Sequence, residues 1–167
     1  EIVEQLREAV RLRMVSDVPL GAFLSGGIDS SAVVALMAEV SSMPVRTFAV
    51  GFEGDGDDLE RARLVAQAFG TEHHELVVKP DAASLLPELV RHLDEPFADP
   101  SIIPTYHLAR FAAEHVRVVL NGDGGDETFA GYGKYRQARA AAWMEHLPTT
   151  LRLGILEPGL ALLAGLV

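Results

Sequence analysis

The strongest constraint on this chain is a rhythm. Short apolar runs end in turn-forming loops and alternate with segments of helical periodicity. Leu20 to Leu24 is the first run, and it enters Ser25-Gly26-Gly27. Val45 to Phe52, His73 to Val78 and Val116 to Leu120, which carry polar residues among the apolar ones, read as three further strands. A continuous apolar run such as Leu20 to Leu24 reads as a strand buried on both faces. Helices are predicted over 3–15, 30–40, 59–69, about 80–93, 105–115 and about 134–145. Gly70 stands just past one helix end, and Asp81 is placed to cap a helix start. Residues 54–58 and the three-proline stretch 94–104 read as loops. Strands alternating with helices predict an α/β fold, a parallel sheet with helices on both faces. No repeat and no Ser/Gly- or Pro-rich linker interrupts it, so residues 1–167 are read as one domain.

Composition removes several function classes. The chain has 14 Lys+Arg against 24 Asp+Glu, a net charge of −10, which leaves no basic footprint for nucleic acid. It has no cysteine, which excludes disulfides, thiol nucleophiles and thiolate metal sites and fits a cytoplasmic protein. Residues 147–167 are apolar but broken by Pro148, Arg152, Pro158 and glycines, so no membrane span is expected where about 20 apolar residues are needed. Both ends read as cuts: Glu1 is not a start residue, and the chain stops within an apolar stretch.

Two loops carry the chemistry, and each follows an apolar strand. The first is Ser25-Gly26-Gly27-Ile28-Asp29-Ser30-Ser31. Ligands of open α/β sheets bind at the carboxyl ends of strands. Glycines let an anion approach the backbone, and the helix that follows supplies N–H groups and a positive dipole end. The loop lacks the lysine of a Walker A motif, the spacing of a dinucleotide fingerprint and the pattern of a nucleophile elbow. Asp29, a carboxylate in an anion site, makes sense with a Mg²⁺ between it and phosphate oxygens. The plain alternative is a tight strand–helix turn capped by Asp29 and Ser30. The second loop, Asn121 to Glu127, holds three glycines and three carboxylates. It suits a metal beside a closely held ligand, or simply a flexible acidic turn. Asp29 and Asp126 would then share one Mg²⁺.

The six histidines offer less. His73 and His74 are neighbours on a strand, point to opposite faces and make a poor chelate. His92, His107, His115 and His146 read as helix-surface or partly buried residues. Arg61, Arg63, Arg136 and Arg139 read as solvated helix faces, with Lys134 and Arg136 close to the second loop in sequence.

Leu24 to Ser31 resembles the pyrophosphate loop of the N-type ATP pyrophosphatases. Together with Ser16-Asp17-Val18-Pro19-Leu20-Gly21-Ala22-Phe23, Thr47 to Phe52 and Asn121 to Tyr132, it is similar to the synthetase domain of glutamine-hydrolysing asparagine synthetases. The resemblance runs from about residue 3 to about 136. It implies an adenine nucleotide alpha-hydrolase-like (Rossmann-like) fold with a pyrophosphate loop. It also implies a ligase that uses ATP and Mg²⁺ to adenylate aspartate for amidation by ammonia from glutamine. Carried over by position, Ser25, Gly26, Gly27, Asp29 and Ser30 would hold pyrophosphate, and Asp29 and Asp126 the metal. Leu24 and Val50 would contact adenosine, and Asn121 and Gly122 would line the ATP site. Asp123 would act near the acyl-adenylate, where the family usually has Ser-Gly-Glu and this chain has Asn121-Gly122-Asp123. The glutaminase domain of such proteins uses an N-terminal cysteine, absent here, and further catalytic residues lie downstream of this sequence. The implied partners are aspartate, ammonia and a glutaminase domain of the same parent chain, and a homodimer is allowed. Related synthetases that close β-lactam rings or amidate other carboxylates share the architecture, and a nucleotide-binding module without its own turnover is a third reading.

Overall fold

The computed structural model describes residues 1–53, 56–79, 82–95, 97, 99–145. Two compact units divide the chain, Glu1–Asp123 and Gly124–Val167, and each is described by itself. The proposed cap at Asp81, His146 and the apolar stretch 147–167 lie outside the described residues.

In the first unit the order is α1 (Ile2–Arg13), β1 (Leu20–Phe23), α2 (Ile28–Val40), β2 (Arg46–Phe52), α3 (Gly56–Phe69), β3 (Glu72–Val78), α4 (Ala82–Leu93), α5 (Ile102–Ala112) and β4 (Val118–Leu120). All pairings are parallel, in the order β3-β2-β1-β4. Phe23 pairs with Phe48, and Ala22 pairs with both Thr47 and Leu120. The first three strands step outward in one direction. The chain then returns through α4 and α5 and lays β4 on the other side of β1.

Alternation along the strands divides the core into two layers. Ala22, Leu24 and Ala49 face one side, among Val10 of α1, Val34 and Met37 of α2, and Leu59 and Ala62 of α3. Phe23 and Phe48 face the other, against Phe111 and Ala112 of α5 and the nearby Val116. Helices therefore cover both faces. Phe48 is fully buried and meets Phe111 edge-on at 6.0 Å, with His74 stacked on it at 5.2 Å. The two imidazoles behave as their neighbouring positions require. His74 turns to the Phe48 side, 4.5 Å from the ring of His115, while His73 Nδ1 shares a 2.9 Å hydrogen bond with Thr47 Oγ1 on the opposite face.

Several boundaries move from the sequence reading. α2 starts at Ile28 and α3 at Gly56, each earlier than expected. α5 starts at Ile102 and takes in Pro104, which stands in the first helical turn, where its missing N–H has no intrahelical partner to lose. Residues 113–115 form a turn, so β4 keeps only three residues. Arg63 is not merely solvated: its guanidinium grips Glu75 with two bonds of 2.7 Å and ties α3 to β3.

The second unit contains α6 (Gly125–Phe129) and α7 (Gly133–Glu145). α6 is a five-residue helix where the sequence suggested a loop. It is bracketed by two left-handed residues, Gly124 at φ 89° and Ala130 at φ 57°.

Candidate functional site

The reversal of strand order at β1 places the candidate site. In an open parallel sheet the crevice forms where the strand order reverses, outside the carboxyl ends of the strands on either side. Here those strands are β1 and β4, and the loops leaving them are Leu24 to Gly27 and Asn121 to Asp123. Hence the two loops singled out by sequence are neighbours in space.

Hydroxyl groups brace the first loop. Ser25 Oγ accepts from the Gly27 N–H at 3.2 Å and lies 2.9 Å from Ser30 Oγ. The buried Ser30 hydroxyl accepts from Ser25 N–H at 3.3 Å and reaches the Gly27 carbonyl at the same distance. Ser31 donates to the Gly27 carbonyl at 2.6 Å. Gly26 has φ 75°, and a Cβ there would lie 2.6–2.7 Å from Arg61 Cβ, Ala62 N and Arg61 C. The loop therefore lies directly on the α3 backbone, and only glycine meets both demands. At the start of α2, Gly27 supplies no side-chain cap, which leaves the first-turn N–H groups open to a ligand. Ile28, at 87% exposure, stands in solvent beside them. Asp29 is half-buried in that first turn.

The second loop meets the same turn. A Cβ on Gly122 would come within 2.7 Å of Ser30 N and 3.0 Å of Asp29 C and Cβ. Asn121 Nδ2 donates to Asp123 Oδ2 at 2.6 Å, and Asp123 N–H donates back to Asn121 Oδ1 at 3.3 Å. This reciprocal clamp fixes one carboxylate oxygen of Asp123.

The structure thus brings together Ser25, Gly26, Gly27, Asp29, Ser30 and Gly122, with Asn121 and Asp123 beside them. Leu24 differs: the residue is 1% exposed within the core, and its N–H is bonded to Phe48 O at 2.8 Å. The residue as a whole, carbonyl included, is buried. Val50 is half-buried near the carboxyl end of β2. Asp126 belongs to the second unit, where it stands in the first turn of α6. There Tyr132 donates to Glu127 Oε1 at 2.6 Å. That bond pushes the phenol up to about 12 and holds the Glu127 carboxyl low. Lys134 Nζ sits 4.3 Å above the Tyr132 ring. Sequence gave no sign of the walls of the site, Arg61 and Ala62 under Gly26, because they lie more than thirty residues away along the chain.

A groove of about 310 Å³ lined by Met14, Leu20, Met37, Val45 and Arg46 opens at the amino ends of the strands. It lies at the far end of the sheet from both loops and is not the crevice.

The asparagine synthase family model matches residues 1–167. The chain belongs to the asparagine synthase family. It is 40% identical over 159 residues to "Asparagine synthetase [glutamine-hydrolyzing] 1" of Bacillus subtilis, covering 94% of this chain and 25% of that protein. To a putative asparagine synthetase of Methanocaldococcus jannaschii it is 43% identical, covering 89% of this chain and 29% of that one. This member of the family therefore spans about a quarter of the length of the curated relatives it matches. In fold it resembles an NH3-dependent NAD synthetase from Campylobacter jejuni, with a TM-score of 0.51 and 18% identity over 79% of this chain and 59% of that one. The architecture is thus of the adenine nucleotide alpha-hydrolase-like kind.

The family implies a nucleotide and a divalent metal, and the donor set can be tested for both. Open N–H groups and hydroxyls at a strand–helix turn suit phosphate oxygens. Among the described residues no three carboxylates or imidazoles gather to hold an ion by themselves. Mg²⁺ needs no such cage, since it binds through one or two carboxylates, phosphate oxygens and water. The residues fit a metal that arrives with phosphates.

Proposed function

We propose that this chain is the nucleotide-binding part of an ATP-dependent amide-forming ligase. In this reading the parent enzyme adenylates the side-chain carboxylate of aspartate and releases pyrophosphate. One carboxylate oxygen attacks the α-phosphorus as the bond to the β-phosphate oxygen breaks. Ammonia, derived from glutamine in a glutaminase domain of the parent chain, then attacks the acyl carbon; AMP departs and a proton is lost from nitrogen.

The observation that carries the proposal is the Ser25-Gly26-Gly27 turn. It feeds an uncapped helix at the β1/β4 reversal, with Gly122 against the same helical turn. Ser25, Gly27 and Ser30 would bind the β- and γ-phosphates through hydroxyl and N–H groups and orient them for departure. Gly26 keeps the turn against α3. Asn121 and Gly122 would line the nucleotide, Leu24 and Val50 would stand at the strand ends beside adenosine, and Asp123 would orient the activated carboxylate. Asp29 and Asp126 would hold Mg²⁺, which supplies charge neutralisation to the leaving pyrophosphate. Catalysis of this kind rests on positioning and electrostatics. No helix among the described residues is long and apolar enough to cross a membrane, and a cytoplasmic location is part of the proposal.

Two measurements test it. Mg-ATP should raise the melting temperature of the protein, and Asp29→Ala should remove that shift. Full-length enzyme given aspartate, ammonia and Mg-ATP should yield asparagine, AMP and pyrophosphate in equal amounts. Absence of nucleotide binding at millimolar ATP would defeat the proposal. Pyrophosphate release with a different carboxylate, and none with aspartate, would move the reading to a related synthetase.

A further inference from the structure

The second unit contains an unusually close approach. A Cβ placed on Gly131 would overlap Asp126 Oδ1 and lie 2.9 Å from its Cγ, so the carboxylate occupies the space a side chain would need. Backbone geometry explains why. α6 enters from a left-handed Gly124, and Ala130, also left-handed, turns the chain back so that Gly131 N–H donates to the Asp126 carbonyl at 3.0 Å. Residues 126–131 thus close a small loop in which the Asp126 side chain folds over the Cα of Gly131. Unlike Gly124 and Gly26, Gly131 has no left-handed φ. Nothing in its own backbone conformation requires glycine; the neighbouring carboxylate does.

We infer that Gly131 is a positioning residue for Asp126: by leaving its Cβ space empty it lets the carboxylate fold over the Gly131 Cα, the orientation in which Asp126 would hold a metal. This rests on the proposed reading of Asp126 as a metal-holding group. A methyl at 131 would meet mainly the far end of a short side chain, with the Asp126 Cα at 3.2 Å. Rotation of the carboxylate relieves the collision, so the chain stays folded while the metal loses an aimed ligand. Gly133, with nothing within 4 Å of its would-be Cβ, is the matched control.

The test measures ATP affinity of the full-length protein by titration calorimetry, with Mg²⁺ and with EDTA, beside the melting temperature of the ligand-free protein. Wild type should bind more tightly with Mg²⁺. Gly131→Ala should lose about 10–100-fold of that enhancement, as a lost partner of a metal ligand does. It should leave ATP affinity in EDTA unchanged, and Gly133→Ala should match wild type. Asp126→Asn should lose the enhancement too, and the double variant should lose no more than either single. If Gly131→Ala lowers the melting temperature, adding Asp126→Ala should restore it, because the collision is with that side chain. Retention of the Mg²⁺ enhancement in Gly131→Ala, or losses that add in the double variant, would overturn the inference while leaving the proposed reading intact. If Asp126→Asn also keeps the enhancement, the metal role of Asp126 fails and the inference falls with it.

Discussion

Replacing Gly26 with alanine probes the architecture of the first loop, and Gly70→Ala supplies the reference. Both glycines are left-handed, at φ 75° and φ 62°. An L-residue in that conformation costs about 1–2 kcal/mol. At Gly70 nothing lies within 4 Å of the added methyl, so the conformational cost stands alone. At Gly26 the methyl would sit 2.7 Å from Ala62 N and Arg61 C. These are main-chain atoms of α3 that no side-chain rotation can move, and forced overpacking adds about 1–3 kcal/mol. Gly70→Ala should therefore cost about 1–2 kcal/mol and Gly26→Ala about 2–5 kcal/mol. For a chain of this size, 1 kcal/mol shifts the melting temperature by about 2–4 °C. The drops should be roughly 2–8 °C and roughly 4–20 °C, read by thermal denaturation and checked in urea. Equal drops would show that the loop does not rest on α3, and would remove the reason for a glycine at this point of the turn.

Three more outcomes follow from the same contacts. Phe48→Ala should cost about 3–5 kcal/mol in chemical denaturation, because a fully buried ring shared by β2 and α5 disappears. Ser30→Ala removes a buried hydroxyl that bonds Ser25 and leaves the Ser25 N–H without its partner. The cost should be about 1–2 kcal/mol, with a measurable loss of ATP affinity; unchanged affinity would count against the loop as the phosphate site. His73 is held below its ordinary value of 6.5, chiefly by burial, so the folded state binds fewer protons than the unfolded one near neutrality. Its contribution to stability is full above pH 6.5 and is lost as pH falls below it. Urea midpoints at pH 7.5 and 5.5 should differ less in His73→Gln than in wild type.

The fold was legible where local pattern decides it. Leu20–Leu24 is a continuous apolar run because a parallel strand is buried on both faces, and it appears, like the strand expected over Val45–Phe52, close to where the pattern puts it. The misses share a cause: they depend on a few residues or on distant ones. Ile28 begins α2 although it is almost fully exposed, since the turn geometry of Gly27 rather than burial starts the helix. Pro104 read as a breaker and proved to be a first-turn residue. α6 is too short to show a period, and its ends are set by two left-handed residues, one of them an alanine that no composition rule would flag. The partnership of Arg63 with Glu75 joins a helix face to a strand, which a helical pattern cannot show.

The site was half legible for a related reason. Sequence placed both loops after strands but not which strands are neighbours. Had β4 added beside β3, about three strand spacings, roughly 14 Å, would separate its end from that of β1. Because β4 pairs with β1 instead, Gly122 touches the first turn of α2. That contact yields a sharp prediction for Gly122→Ala. The methyl would sit 2.7 Å from Ser30 N, on one of the N–H groups that face the crevice. Overpacking against helix backbone should cost about 1–3 kcal/mol. The loss of nucleotide affinity should exceed what that destabilisation alone produces, because the methyl both covers a donor and pushes Asp29 aside. Comparing ATP affinity with unfolding free energy separates the two effects. A variant that is destabilised yet binds ATP as tightly as wild type would show that the β4 loop supports the α2 turn without bordering the nucleotide.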